Sequence, residues 1–274
     1  MGGVATSTTI NSGNQYVNGT ASGTVISGGT QIVYLGGAAT STTVSSGGTQ
    51  LVYSSGSATS TTISGGMQLV YGTASDTEIN SGGQQQVLSG GVATSTTISG
   101  GGQLVVLGGS AIDTTISSGW QKVLSGGVAT STTVSGGGTQ VVYGTASGTV
   151  INSDGQQQVY SGGVATSTMV SSGGTLVLNS GGTATEAIVS AGYVLKATTS
   201  ATLEATDDSG NAVTISGGTA TNVTLNNYGE LNVESGGSAS STTINSGGFE
   251  MVSAGGTDYN ATVNDGGLQY VYGT

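Results

Sequence analysis

The feature that most constrains this chain is a repeat of 16 to 19 residues sustained along its length. The run Gly-Gly-Val-Ala-Thr-Ser-Thr stands at Gly2–Thr8, Gly90–Thr96, Gly126–Thr132 and Gly162–Thr168. Aligned on its alanine, the unit recurs at Ala5, Ala21, Ala39, Ala58, Ala74, Ala93, Ala111, Ala129, Ala146, Ala165 and Ala184, then at Ala220, Ala239 and Asp258. One degenerate unit between Ala184 and Ala220 brings the total to about 15. Five residues after each of these positions stands Ile, Val or Leu, from Ile10, Ile26 and Val44 to Ile244 and Val263. A Gly-rich turn follows, then Gln-x-Val, as in Gln31-Ile32-Val33 and Gln140-Val141-Val142.

Short β-branched runs punctuated by Gly-Gly read as strands and turns. A helix would carry this Gly density at about 1 kcal/mol per interior glycine and would not survive. Gly, Ser and Thr supply half of the 274 residues, and large apolar side chains are too few for a conventional core. A solenoid removes that difficulty, because its narrow coils need only Val, Ile, Ala and Thr inside while stacked strands satisfy the amides. The expected fold is all-β: a right-handed parallel β-helix of about 15 coils, at about 4.8 Å per coil a rod on the order of 70 Å long. It forms a single domain over 1–274, with regular coils over 1–190, an irregular coil or insertion over 191–216 and regular coils again over 217–274.

Exceptions within each column assign the faces. The middle residue of Gln-x-Val is Ile32, Leu51, Leu69, Gln86, Leu104, Lys122, Val141 and Gln158. Lys122 and the glutamines do not suit a narrow dry core, so this column points outward, while Val and the first Gln point inward. Inward glutamines then stack and hydrogen-bond along the axis. In the other strand Glu78 shares a column with Thr9, Thr43 and Thr62, which places Thr8, Thr42, Thr61 and Thr96 inside.

Several functions are excluded or disfavoured by what the chain lacks. It has no Cys, His, Arg or Pro, two cations in Lys122 and Lys196, and a net charge of -11. Nucleic-acid binding needs cations to neutralise phosphate, and two lysines against a net charge of -11 come close to excluding it. Without Cys there is neither a disulfide nor a thiolate metal site. No apolar run is long enough for a membrane-spanning helix. The N-terminal Met1-Gly2-Gly3-Val4 has no basic and apolar leader, so it reads as a mature piece whose targeting segment lies outside it. Lys196, Glu204, Asp207 and Asp208 gather in the irregular stretch, read as a looped coil, the alternative being a weakly signalled cation site. Paired carboxylates for glycoside chemistry are not in evidence: Asp76 and Asp113 share a column but are separated by the coil of Ser95. The chain is therefore read as no enzyme, with no cofactor and no metal. A rival reading, an ice-binding solenoid, rests on outward pairs such as Ser41/Thr43 and Ser60/Thr62, which Asp76/Glu78 and Ser167/Met169 interrupt.

The column after the inward Val is more telling. It reads Tyr34, Tyr53, Tyr71, Leu88, Val106, Leu124, Tyr143 and Tyr160, an apolar and aromatic stripe suited either to self-association or to bracing a corner. Units such as Gly126-Gly127-Val128-Ala129-Thr130-Ser131-Thr132-Thr133-Val134-Ser135-Gly136-Gly137-Gly138-Thr139-Gln140-Val141-Val142 resemble the passenger repeat of AIDA-type self-associating autotransporters. The resemblance covers nearly the whole chain, excepting residues 191–216. It implies a bacterial surface adhesin at the outer membrane, exported through the periplasm and followed by its own C-terminal β-barrel. Its implied partners are copies of itself on neighbouring cells, in autoaggregation and biofilm, and the host-cell surface. It also implies O-heptosylation on hydroxyl side chains by an autotransporter heptosyltransferase. Exposed, uncluttered Ser beside Gly suits that enzyme best, hence Ser27, Ser46, Ser81, Ser118, Ser172 and Ser246 at one corner. Ser41, Ser60, Ser95 and Ser131, read as outward strand residues, come second.

Overall fold

The computed structural model describes residues 2–179, 181–189, 194–197, 202–207, 212–216, 219–221, 224–225, 230–233 and 235–273, and every regular element among them is a strand. The chain falls into two units, Met1–Thr132 and Thr133–Thr274.

In the first unit most coils are built from three short strands, for example Ser57–Thr59, Thr62–Ser64 and Met67–Val70, and in two coils the second and third run on as one strand, Thr97–Val105 and Thr115–Val123. Each pairs in parallel with its equivalents in the coils before and after. Ala58 stands between Ala39 and Ala74, Ile63 between Val44 and Ile79, and Gln68 between Gln50 and Gln85. Like residues therefore stack in columns. The inward columns are Ala, Thr, Ile or Val, Gln and Val, and the side chains of Ala58, Thr61, Ile63, Gln68 and Val70 are all at most 1% exposed. Alternation within the third strand is strict, with the Gln and Val columns inside and Leu51, Leu69 and Lys122 half-buried on the outer face. That parity follows the sequence expectation.

The glycine pair at the corners has two separate reasons. Gly47 turns the chain at φ 82°, where an L side chain is strained. Gly48 has an ordinary backbone, but a Cβ there would lie 2.6 Å from the carbonyl oxygen of Ile26 in the preceding coil. The first glycine makes the turn and the second lets coils close to strand-pairing distance.

The remaining corner lies between the first and second strands and is made without glycine in most coils. Ser7, Ser41, Ser60, Asp76, Ser95, Asp113 and Ser131 all adopt φ between 53° and 56° there. The amides of Ser7, Ser41, Ser60, Asp76, Ser95 and Asp113 bond forward to the following coil, as Ser41 N–H donates to Thr59 O at 2.9 Å. Ser41, Ser60, Ser95 and Ser131 are thus corner residues, which corrects their reading as strand residues. The physical reason is that the chain must change direction between two inward residues three positions apart, since Ala39 and Thr42 both have their side chains inside.

The second unit opens with the same coils: Ala146 pairs with Ala165 and Ala165 with Ala184. Beyond Ala184 the Ala column is carried by Leu203, and strand Thr202–Asp207 turns back on Ala212–Ser216, which in turn pairs antiparallel with Thr219–Thr221. Parallel stacking then resumes through Ala220, Ala239 and Asp258. The third-strand column passes alongside through Gln157, Leu176, Leu195, Leu231, Glu250 and Gln269. The stretch read as one degenerate coil is therefore partly an antiparallel meander, and the complete turns number about 12 rather than 15. Of its charged residues, Asp208 lies outside the described residues, and Lys196, Glu204 and Asp207 are described as strand backbone.

Candidate contact surface and modification sites

Stacking of equivalent residues brings tyrosines far apart in sequence into register. In the first unit the rings of Tyr34 and Tyr53 lie 5.2 Å apart and 2° from parallel, and Tyr53 and Tyr71 lie 6.1 Å and 16° apart. Tyr143 and Tyr160 repeat this in the second unit at 4.8 Å and 15°. Tyr53 and Tyr71 are about 40% exposed, whereas Tyr34, Leu88, Leu124, Tyr143 and Tyr160 are half-buried. The ring faces contact one another, so the stack offers solvent its edges and phenol oxygens. Ile32, Leu51 and Leu69 run beside it on the same outward face, two residues before each tyrosine. Together they form an apolar and aromatic patch over three coils, more than scattered single exposed side chains supply.

The stack contains one member that sequence columns did not show. Tyr16 belongs by register to the Ile32 column, yet its ring lies 6.0 Å from that of Tyr34 at 14°. Asn18 occupies the stripe position in that coil and leaves room for the ring. A shift of one outward column was the only signal available.

The serines fall into three environments. Ser46, Ser81, Ser172 and Ser246 are the second residues of tight turns closed by i to i+3 bonds, such as Gly48 N–H to Ser45 O at 2.9 Å. In each, a glycine with φ between 73° and 82° follows, and the serine side chain is exposed. Ser27 is exposed one position earlier, its N–H bonded to Ile10 O, and Ser118 is half-buried within strand Thr115–Val123 and donates to Ser99 O at 2.9 Å. These two do not share the turn geometry expected of them: the coil of Ser118 crosses the corner with a shifted register, and the coil of Ser27 has one residue fewer between Ile26 and Thr30 than the next coil has between Val44 and Thr49. The left-handed corner holds exposed Ser41, Ser60, Ser95 and Ser131, together with Ser7, Ser167 and Ser241. A third set was missed: Ser54, Ser89, Ser125 and Ser161 are exposed second residues of the turn after the stripe. The Gly-Gly following Ser89, Ser125 and Ser161 was the signal that pointed to it.

Beneath these surfaces runs a ladder of buried amides. Gln85 Nε2 donates to Gln68 Oε1 at 2.7 Å and to Thr77 Oγ1 at 3.2 Å. Its Oε1 accepts from Gln103 Nε2 at 2.6 Å and Thr96 Oγ1 at 3.4 Å. All four hydrogen-bonding capacities of the amide are met inside a dry coil. Among the described residues no three of His, Cys, Asp and Glu come together as a group able to hold a metal ion.

Comparison with known proteins places this arrangement. Residues 204–267 match the family model described as adhesin of bacterial autotransporter system, probable stalk. The crystal structure of a TibA fragment hyper-glycosylated by TibC matches with a TM-score of 0.69 and 36% identity, covering 99% of each chain. The chain belongs to the AIDA-type autotransporter adhesin passengers. A search of curated proteins gave no match. As a passenger of this family the chain is a surface-exposed, outer-membrane-associated adhesin segment built as a parallel β-solenoid.

Proposed function

We propose that this passenger mediates homotypic adhesion between cells, in autoaggregation and biofilm, and attaches cells to host surfaces, after export through the periplasm ahead of a C-terminal β-barrel. The single observation that supports the homotypic reading best is the outward patch of Tyr16, Tyr34, Tyr53 and Tyr71 beside Ile32, Leu51 and Leu69. Such a patch buries apolar area only when another surface covers it, and a second copy offers the same patch. The whole of residues 1–274 acts as one passenger in this reading, and its role is contact rather than catalysis.

The passenger is also a substrate for O-heptosylation on serine by an autotransporter heptosyltransferase. Support comes from the glycosylated TibA relative and from the exposed serines at glycine-bordered turns. Ser46, Ser81, Ser172 and Ser246 are the preferred acceptors, with Ser41, Ser60, Ser95 and Ser131 next. Ser27 and Ser118 rank lower on their geometry.

Display of the chain on cells, with and without Tyr34→Ser, Tyr53→Ser and Tyr71→Ser together, tests the contact surface. Clumping is expected to fall while surface levels hold, and unchanged clumping removes the patch from the mechanism. Intact mass after co-expression with the heptosyltransferase should rise in steps of one heptose, and the absence of any step overturns the modification.

A further inference from the structure

In the last coils of the second unit the amide ladder is replaced by acids. Glu250 takes the ladder position, in register with Leu231 below and Gln269 above, and is fully buried. Asp258 takes the place of the column alanine, opposite Ala239. Gln269 Nε2 donates to Glu250 Oε2 at 2.7 Å and to Asp258 Oδ2 at 2.8 Å. A regular ladder glutamine sends its second N–H to a threonine of its own coil, as Gln157 does to Thr149 Oγ1 at 3.0 Å. In the coil of Gln269 that threonine is Ala261, so Asp258 supplies the missing acceptor.

Glu250 itself is left short. Leu231 has no group to receive or give a hydrogen bond, and Ala261 does not supply the hydroxyl that the next coil normally donates. Glu250 Oε1, Thr242 Oγ1 and Asp258 Oδ1 are all buried without a well-formed hydrogen bond, the Thr242 hydroxyl lying near the Glu250 carboxyl and the Tyr259 amide near that of Asp258. An ionised Glu250 can only accept from the Thr242 hydroxyl, a contact that lowers its pKa by less than burial raises it, whereas a ladder glutamine would donate to that hydroxyl. A protonated carboxyl has the shape of a glutamine amide, with O–H in place of N–H.

We infer that Glu250 and Asp258 form a proton-binding site, in which a carboxyl proton substitutes for the ladder amide and holds the last coils closed. Two carboxylates tied to one amide nitrogen, in a coil with no facing cation, are not both held ionised. Asp265 and Tyr259 are exposed, Glu230 is in register with Phe249 and Lys196 with Asn232, so none of these stands in the Glu250 column. A calcium ion takes six to eight oxygens, about twice what this set offers. Burial accordingly pushes the Glu250 carboxyl above its ordinary 4.5, and burial does the same to Asp258 above its ordinary 3.8.

The sign follows from linkage. Groups raised in the closed state contribute stability that is fully present below their open-state values and lost as pH rises through the closed-state values. Closure of these coils is therefore favoured in acid, and weakens from about pH 4 to 4.5 upward.

Amide hydrogen exchange over 249–252 and 268–271, expressed as protection factors between pH 4 and 8, tests the site in the whole chain. Wild-type protection is expected to fall by up to about tenfold per pH unit for one proton released on opening. Glu250→Gln should flatten that dependence and exceed wild-type protection at pH 8, since the amide restores the bond to Thr242. Asp265→Asn, in an exposed turn, should leave the wild-type profile unchanged. An identical pH profile in wild type and Glu250→Gln overturns the inference. So does protection of wild type by calcium chloride at pH 7.5 that Glu250→Gln abolishes, which would make the pair a metal site.

Discussion

The third-strand column is solved in two different ways in the two units. In the first, Gln31, Gln50, Gln68, Gln85 and Gln103 each hydrogen-bond the glutamine before and after, and are fully buried. In the second, the ladder runs from Gln140 to Gln157, and the column then passes to Leu176, Leu195 and Leu231. An all-amide column and an all-leucine column are both self-consistent, because neither leaves a buried polar group alone. The junction between them is where the cost falls. Gln157 Oε1 still accepts from Thr168 at 3.1 Å, which covers one side of the amide where Leu176 cannot. Glu250, set above a leucine, has no such cover. The difference teaches that the column is cooperative: a residue's fitness depends on the residues one coil away more than on its own polarity.

Placing the odd residue of the second unit into the first should have the largest effect. Gln85→Glu removes two donors from a site where Gln68 Oε1 and Thr77 Oγ1 await them. At neutral pH it forces either an unpaired buried carboxylate or proton uptake, at a cost on the order of 3–5 kcal/mol. Urea unfolding at pH 7 should show this loss, and at pH 4, where the carboxyl is neutral and again donates, most of it should return. Equal loss at both pH values would mean that shape, and not the proton, decides the site.

A smaller effect is expected from writing the second unit's apolar solution into the first. Gln85→Leu takes the short amide bonds from Gln68 Oε1 and Gln103 Nε2, leaving them only the longer ones to Thr77 at 3.5 Å and Thr96 at 3.3 Å, for about 2–4 kcal/mol at roughly 1–2 per lost bond. Leucine fits the coil elsewhere, so the loss is one of neighbours. The double change Gln85→Leu with Gln103→Leu should cost less than twice the single one, because the two positions no longer orphan each other. Additive costs would argue that the column is not cooperative, which the same urea series would reveal.

Much of this was legible in the sequence and some was not, for definite reasons. Lys122 and Gln86 among leucines fixed the outward face, and that one deduction put Gln, Val and Thr inside and made the amide ladder follow. The exchange of coil for meander between Leu203 and Ser216 was hidden, because loss of Gly-Gly says that a turn has changed without saying into what. Tyr16 was hidden by a one-column offset. Asp258 looked like a lapse in the alanine column, and only its bond with Gln269 shows that it answers for Ala261. The left-handed corner was the deepest miss, since Ala-Thr-Ser-Thr-Thr reads as plain alternation and serine gives no warning of positive φ.

That corner carries the smallest prediction. A left-handed conformation costs a non-glycine residue roughly 1–2 kcal/mol. Gly23 and Gly148 occupy the same corner at φ 62° without that strain, whereas Ser60 sits at φ 56° with an exposed side chain that makes no compensating bond among the described contacts. Ser60→Gly should therefore relieve the folded chain. Glycine also widens the unfolded ensemble, which takes back part of the gain. The net expected change is a stabilisation of a few tenths of a kcal/mol up to about 1, read as a rise in the urea midpoint with an unchanged slope. Ser60→Ala separates the two contributions, because alanine keeps the backbone strain while removing the hydroxyl. If Ser60→Ala is neutral and Ser60→Gly stabilises, the corner is strained and the serine is held there for its exposed hydroxyl. If Ser60→Ala destabilises by as much as a lost hydrogen bond, the hydroxyl braces the corner, and its retention needs no modifying enzyme to account for it.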